Sequence, residues 1–423
     1  MQTDLSTQNV RAPAGVVRAA TRVRWRLPDR TAFVLLASIV VTFLAGSSAP
    51  TPLYATYQQE WHFSPVTTTV VFAVYAVALL SALLTAGSLS DHVGRRPVIL
   101  AAIAVQLVAM AVLASAAGVP ELVIGRVLQG LSTGAALGAI GAALLDLDTR
   151  RGTVANAVSP PIGTAVGALG SGLLVQFVPA PTHLVYLVLL AGLAVQAGGV
   201  ALMRETSSPA PGAWASLRPE VVVPAAVRRP VLAAIPMLVA VWGLGSLYAS
   251  LGPAVVAGLV GTRSAALGGL ALFTLAAFGA MAVVLTRHTA ISRVARIGAS
   301  ALALGAVLTV LALGAGTVVG FFVATAVAGV GFGAGFQGAI RSVVPLAAPH
   351  ERAGVLSVLF LVSYLALGLP AVVAGFLVVH GGGLLRIAEG YGGVVALLAL
   401  VALAGQLATT AGQRRRRTEA CLG

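Results

Sequence analysis

No lysine occurs in the chain: all 26 basic residues are arginine. A phosphate loop of the Gly-x-x-x-x-Gly-Lys type is therefore excluded, which disfavours an ATP-driven transporter subunit. Cysteine occurs once, as Cys421, so neither an intrachain disulfide framework nor a cysteine metal site can form. The six histidines (His62, His92, His183, His288, His350 and His380) are scattered, and no cluster of metal ligands is visible, so no metal and no cofactor is expected. Charge is scarce as well. Charged residues make up 9% of the chain, where a soluble domain carries about 25%. With 26 basic and 12 acidic residues, 423 residues cannot be given the polar shells of two or three soluble domains.

What is present is hydrocarbon: 58% of the residues are hydrophobic and 49 more are glycine. Twelve apolar runs, near 31–55, 65–90, 97–118, 121–145, 153–178, 183–204, 230–256, 265–286, 295–315, 317–340, 353–378 and 390–411, approach or exceed the roughly 20 residues that cross a bilayer as a helix. The expected fold is all-α, a polytopic membrane protein of twelve transmembrane helices in two pseudo-symmetric six-helix bundles. The first run follows an arginine-rich stretch and could be read as a cleaved signal. It continues through Pro50, Pro52 and Tyr54, however, as a first span with a bent outer end would.

Arginine sets the orientation, because cytoplasmic loops retain positive charge. With the N-terminus inside, 23 arginines fall on the cytoplasmic side, Arg263 and Arg386 outside, and Arg126 within a span. The net charge of +14 then records orientation in the cell (cytoplasmic) membrane, with both termini cytoplasmic. The tails, including Arg18, Arg22, Arg24, Arg26 and the run Arg414 to Arg417, are expected to meet anionic lipid headgroups, and no nucleic-acid module accompanies them. The chain divides into a basic tail (1–30), a first bundle (31–204), a linker rich in proline and arginine (205–229), a second bundle (230–411) and a second basic tail (412–423). An offset of 201 residues aligns Gly130 with Gly331 and Gly134 with Gly335, which favours duplicated halves.

After the second span the sequence reads Gly87-Ser88-Leu89-Ser90-Asp91-His92-Val93-Gly94-Arg95-Arg96-Pro97. Gly94 suits a tight turn, Gly87 a close helix approach, Pro97 the first turn of a helix, and Asp91 with Arg95 a charge-assisted hydrogen bond. The stretch resembles the loop between helices 2 and 3 of the major facilitator superfamily, Gly-x-Leu-x-Asp-x-x-Gly-Arg-(Lys/Arg), and the six-plus-six topology is similar over essentially the whole chain. The resemblance implies that Gly87, Asp91, Gly94, Arg95 and Arg96 form a conformational latch, closing the cytoplasmic side when the transporter faces outward. An acid at the end of helix 4 joins such a latch, and here Asp146 or Asp148 could meet Arg95; the alternative is that they balance Arg150 and Arg151.

Arg126 stands within the fourth span, where an arginine costs about 2.5–3.5 kcal/mol to insert. Gln129, Gly130 and Gly134 follow it, the two glycines on its own helical face. This resembles the Arg-x-x-x-Gly-x-x-x-Gly pattern of proton-coupled members, making the group a candidate for coupling. The alternative is an arginine that snorkels outward. Helix 5 resembles a worn version of the family's antiporter motif, with Gly163, Gly167 and Gly172 kept and its proline replaced by Ala168, and glycine-mediated packing alone would explain the stretch. No acidic residue lies near the middle of a span, which counts against a carboxylate proton carrier.

The polar and aromatic residues within spans, Ser47, Tyr75, Gln129, Asn156, Trp242, Tyr248, Gln337, Ser363 and Tyr364, are candidates for a substrate cavity, each also readable as a helix-to-helix contact or an interfacial anchor. So few charges suit a hydrophobic or drug-like molecule. The expected activity is secondary transport of such a small molecule by alternating access, most readily efflux with protons as the candidate coupling ion. Uptake of a small organic metabolite by symport or uniport is the alternative. A membrane enzyme or sensor is disfavoured, since clustered histidines and carboxylates inside the spans are lacking. The chain is expected to act as a monomer.

Overall fold

Backbone amides in hydrocarbon have no water to bond, so each apolar run must satisfy its own hydrogen bonds as a helix. A computed structural model describes residues 27–262 and 264–422, the side chains of 409–422 excepted; the basic residues Arg11 to Arg26, Arg263 and the side chains of Arg414 to Arg417 lie outside that description. Twelve helices among the described residues are long and apolar enough to cross a membrane: α1 (Asp29–Trp61), α2 (Pro65–Ala86), α3 (Arg95–Ala114), α4 (Val119–Leu147), α5 (Thr149–Phe177), α6 (Pro181–Leu202), α7 (Ala225–Ser250), α8 (Ala265–Thr286), α9 (Ile291–Gly314), α10 (Val318–Leu346), α11 (Pro349–Gly381) and α12 (Leu384–Ala408). Capping marks several starts: Ser64 accepts from the Thr67 amide, Asp148 from Arg151 and Ser264 from Leu267.

The helices outrun the apolar runs where polar residues extend them. α1 continues to Trp61 through Gln58, Gln59 and Glu60, and breaks at Ala49 because Pro50 and Pro52 lack amide donors. After α7 a separate short helix, Gly252–Val260, takes residues that hydrophobicity alone assigns to one long span.

The helices form two six-helix bundles, each with its own core. One core gathers Leu36, Phe43, Ile103, Met110, Ile140 and Tyr186 from the first six spans. The other gathers Val241, Tyr248, Leu275, Leu302, Phe321 and Ala399 from the last six, joined by Ala168 of α5. Glycine sets the closest approaches. On α4, a Cβ at Gly130 would strike the Tyr75 carbonyl of α2, and one at Gly134 the Leu79 carbonyl. On α10, Gly329 and Gly333 stand against Leu275 and Gly279 of α8 in the same way. The pairing between the halves is therefore Gly130 with Gly329 and Gly134 with Gly333. Gly331 and Gly335, which the sequence offset aligns with them, instead face Leu302 of α9 and Met237 of α7.

The bundles touch along α2 with α11 and α5 with α8. At the end opposite the arginine-rich loops, Thr51 Oγ1 donates to the Ala249 carbonyl at 2.9 Å, Ser264 Oγ donates to Gln176 Oε1 at 2.7 Å, and Gly375 abuts Thr69. From mid-span toward the arginine-rich end, α5 and α8 leave an apolar cleft of about 400 Å³, lined by Ile162, Val166, Phe273, Met281 and Leu285 among others. The conformation is thus closed at the far end and parted between α5 and α8 toward the arginine-rich end.

Candidate functional site

The loop between α2 and α3 is built around one buried arginine. Gly94 has φ +106° and ψ 152°, a conformation open only to glycine, and it turns the chain from the short helix Leu89–Val93 into α3. That turn brings Arg95 back over the loop, 8% exposed, where its Nη1 donates to Asp91 and to Ser90 Oγ (2.8 Å) and its Nε to Asp146 Oδ2 at 3.2 Å. Asp146 is the acid that meets Arg95. Asp148 instead caps α5 and pairs with Arg151. Arg96 donates to the Ala201 carbonyl. At Gly87 the close approach comes from α4: a Cβ at Gly138 would lie 2.8 Å from the Gly87 carbonyl, while one at Gly87 meets only the Leu83 carbonyl of its own helix.

Sequence reading placed Glu205 only in the linker. Its carboxylate accepts from the Arg95 amide at 2.8 Å and the Arg96 amide at 3.1 Å, capping the start of α3 where Gly94 supplies no side chain. The linker continues over the loop: His92 bonds the Pro211 carbonyl at 3.0 Å, the Ala210 amide donates to the His92 carbonyl, and Ser88 Oγ donates to the Ser216 carbonyl. The signal was an uncapped helix start at Gly94-Arg95, but a cap supplied from residue 205 has no local spacing to betray it. Glu205→Ala is expected to lower the stability of the purified protein by about 1 kcal/mol, with Glu205→Gln recovering part of the loss. Equal melting of Glu205→Ala and wild type in detergent would remove the cap.

The second constellation lies inside the first bundle. Arg126 is fully buried and does not snorkel. Its Nη1 donates to the Ser47 carbonyl at 3.0 Å and to Gln129 Oε1, and its guanidinium carbon lies 4.1 Å from the centroid of the Tyr75 ring. Gln129 in turn donates to the Gly46 carbonyl at 2.9 Å. All of these partners are neutral, and none of the three ion pairs found among the described residues involves Arg126. The role of Gly130 follows directly: contact with the Tyr75 carbonyl sets the Tyr75 ring over the guanidinium one helical turn away. Two further residues of this region escaped sequence reading. Gln106 of α3, wholly buried, takes a hydrogen bond from Ser132, and Tyr54 of α1 lies buried within electrostatic reach of Arg126.

The glycines of α5 split between two neighbours. Gly163 and Gly167 rest on Val41 and Ala45 of α1, whereas Gly172 meets Ala265 of α8, across the junction of the bundles. Of the cavity candidates, Tyr75, Trp242 and Tyr364 come together where α2 meets α11 and α7. Trp242 lies 5.0 Å from Tyr364 between ring centroids, and its indole nitrogen has no partner. Ser47 contributes its carbonyl to Arg126. The others serve their own bundles: Asn156 donates to the Gly141 carbonyl, Tyr248 bonds Thr325 at 2.7 Å, Gln337 accepts from Thr286 at 2.7 Å, and Ser363 bonds back to Leu359. A polar residue in a span reads the same in sequence whether it faces a cavity or a neighbouring helix.

Twelve spans in two six-helix halves, joined along two helix seams and carrying the fully buried Arg126, define a polytopic membrane carrier. The family model of the Major Facilitator Superfamily matches residues 35–369, and the chain belongs to that family. Similar solved structures are those of the nucleoside transporter NupG and the human organic anion transporter MFSD10 (TETRAN). The first is 12% identical, with 90% of this chain and 99% of that one covered and a TM-score of 0.68. The second is 18% identical, with 89% and 100% covered and a TM-score of 0.62. At these identities the likeness shows the fold. No curated protein matches the chain in sequence.

Proposed function

We propose that the chain exports a hydrophobic small molecule across the cytoplasmic membrane by alternating access, in exchange for protons. The arginine-rich end and both termini lie on the cytoplasmic side, where the basic tails contact anionic headgroups, and the protein works as a monomer. The observation that carries this reading is the cleft between α5 and α8. Its lining is apolar and it opens between the two halves toward the arginine-rich end, as a carrier loading a lipophilic molecule from the inner side requires. The Asp91, Arg95 and Asp146 group, assembled within the first half here, is the surface on which the second half latches in the opposite state.

The test is reconstitution in liposomes with an imposed pH gradient and a panel of lipophilic dyes and antibiotics. Gradient-driven accumulation on the side matching the extracellular face is expected. Gradient-independent entry of a metabolite in place of the dyes would favour uptake. Coupling falls to the Arg126 group, so Arg126→Ala is expected to abolish the dependence on the pH gradient; retained dependence would free Arg126 from that role.

A further inference from the structure

We propose that Arg126 forms an anion subsite and that the molecule carried is a lipophilic organic monoanion; this rests on the transporter reading above and narrows its substrate class. The buried guanidinium uses only one corner. Nη1 makes both hydrogen bonds, to Ser47 and Gln129, while Nε and Nη2 are buried with no acceptor. Nε–H and Nη2–H share the long edge of the guanidinium plane, the edge that grips two acid oxygens in parallel hydrogen bonds. A carboxylate or sulfonate laid along it would satisfy both donors and neutralise the cation at once.

Nothing among the described residues performs that service. Among the described residues no carboxylate pairs with Arg126, and its remaining neighbour is the face of Tyr75, a weaker partner than an acid. The hydroxyl of Tyr54 is likewise buried without a partner, leaving a further donor for the acid's remaining lone pairs. One cation and one free two-donor edge specify a single acid group.

Access is conditional in this conformation. Tyr75 belongs to the cluster of Phe72, Tyr364 and Leu367 that joins α2 to α11, so the contact between the halves holds the ring over Arg126. Parting of α2 from α11 takes the ring, the cation's present partner, away from Arg126 and leaves the acid as its main counterpart, so substrate binding is tied to the movement of the halves.

The test uses the full chain in detergent and two fluorescent probes, dansyl-aminohexanoic acid and its neutral primary amide, titrated at low ionic strength without and with added chloride. Wild type is expected to bind the acid about tenfold or more tightly than the amide, the value of a buried charge-assisted hydrogen-bond pair. Arg126→Gln should bring the two affinities together, and a monodisperse peak on size-exclusion chromatography shows that the variant is folded. Where that variant does not assemble, Arg126→Lys keeps the charge without the two-donor edge, and its preference should fall below that of wild type. No preference in wild type, or full preference in either variant, would overturn the subsite while leaving the transporter reading in place. Loss of preference in chloride would assign the edge to a halide and overturn it also. Binding of neither probe by wild type would overturn the lipophilic-substrate reading, and the subsite with it.

Discussion

Asp91→Asn is expected to cut transport about tenfold or more while the protein still reaches the membrane in normal amounts. The two effects separate because of where Asp91 sits. Its side chain is 54% exposed, and Arg95 keeps Asp146 and Ser90 as partners when the Asp91 charge is gone, so folding loses little. Closing the arginine-rich end is another matter, because there the loop must meet the other half. A charge-assisted hydrogen bond that Asp91 makes to the other half only in the closed state, about 1.5–3 kcal/mol, shifts a two-state equilibrium by about tenfold to a hundredfold. Transport of a lipophilic dye in proteoliposomes, set against protein recovered in the membrane, checks this. Wild-type turnover in Asp91→Asn would remove the latch.

Gly134→Leu is expected to do the reverse and eliminate the folded protein. A Cβ there would overlap the Leu79 carbonyl and crowd Ala82, both on α2, and a backbone carbonyl cannot swing away as a side chain can. Overpacking at such a contact costs about 1–3 kcal/mol or more, and the shift of α2 would also carry Tyr75 off Arg126. Gly192→Leu on α6 is the control, since a Cβ there meets nothing within 4 Å. The monodisperse peak on size-exclusion chromatography should vanish for the first variant and persist for the second. A normal peak for Gly134→Leu would contradict the packing.

That contrast shows what the sequence could tell. Spans and turn signals are local, so the twelve helices, the Gly94 turn and the Asp91–Arg95 pair are legible along the chain. The buried charge of Arg126 was legible too, because an arginine between apolar residues is conspicuous. The role of a glycine is decided by the helix opposite it: Gly134 and Gly192 look alike in sequence and differ wholly in space. The repeat offset misled for the same reason, matching glycine to glycine without regard to which neighbour each one faces. Glu205 was hidden because its partners, the amides of Arg95 and Arg96, lie more than a hundred residues away in the chain. Neither Asn156 nor Tyr364 announces its surroundings. Only the packing shows the first bonded to Gly141 and the second set at a tilt against Trp242 at the seam.

The scarcity of cysteine makes the central claim, alternating access, directly measurable. With Cys421→Ser removing the only native thiol, spin labels can be placed at Arg150 and Leu285, near the arginine-rich ends of α5 and α8, and in a second protein at Phe177 and Thr262, at the far end. Double electron–electron resonance in proteoliposomes then reads both separations. Adding substrate or a pH gradient should shorten the first distance and lengthen the second, giving two populations that exchange in opposite senses. Distances that stay fixed, or that change in the same direction at both ends, would contradict the account.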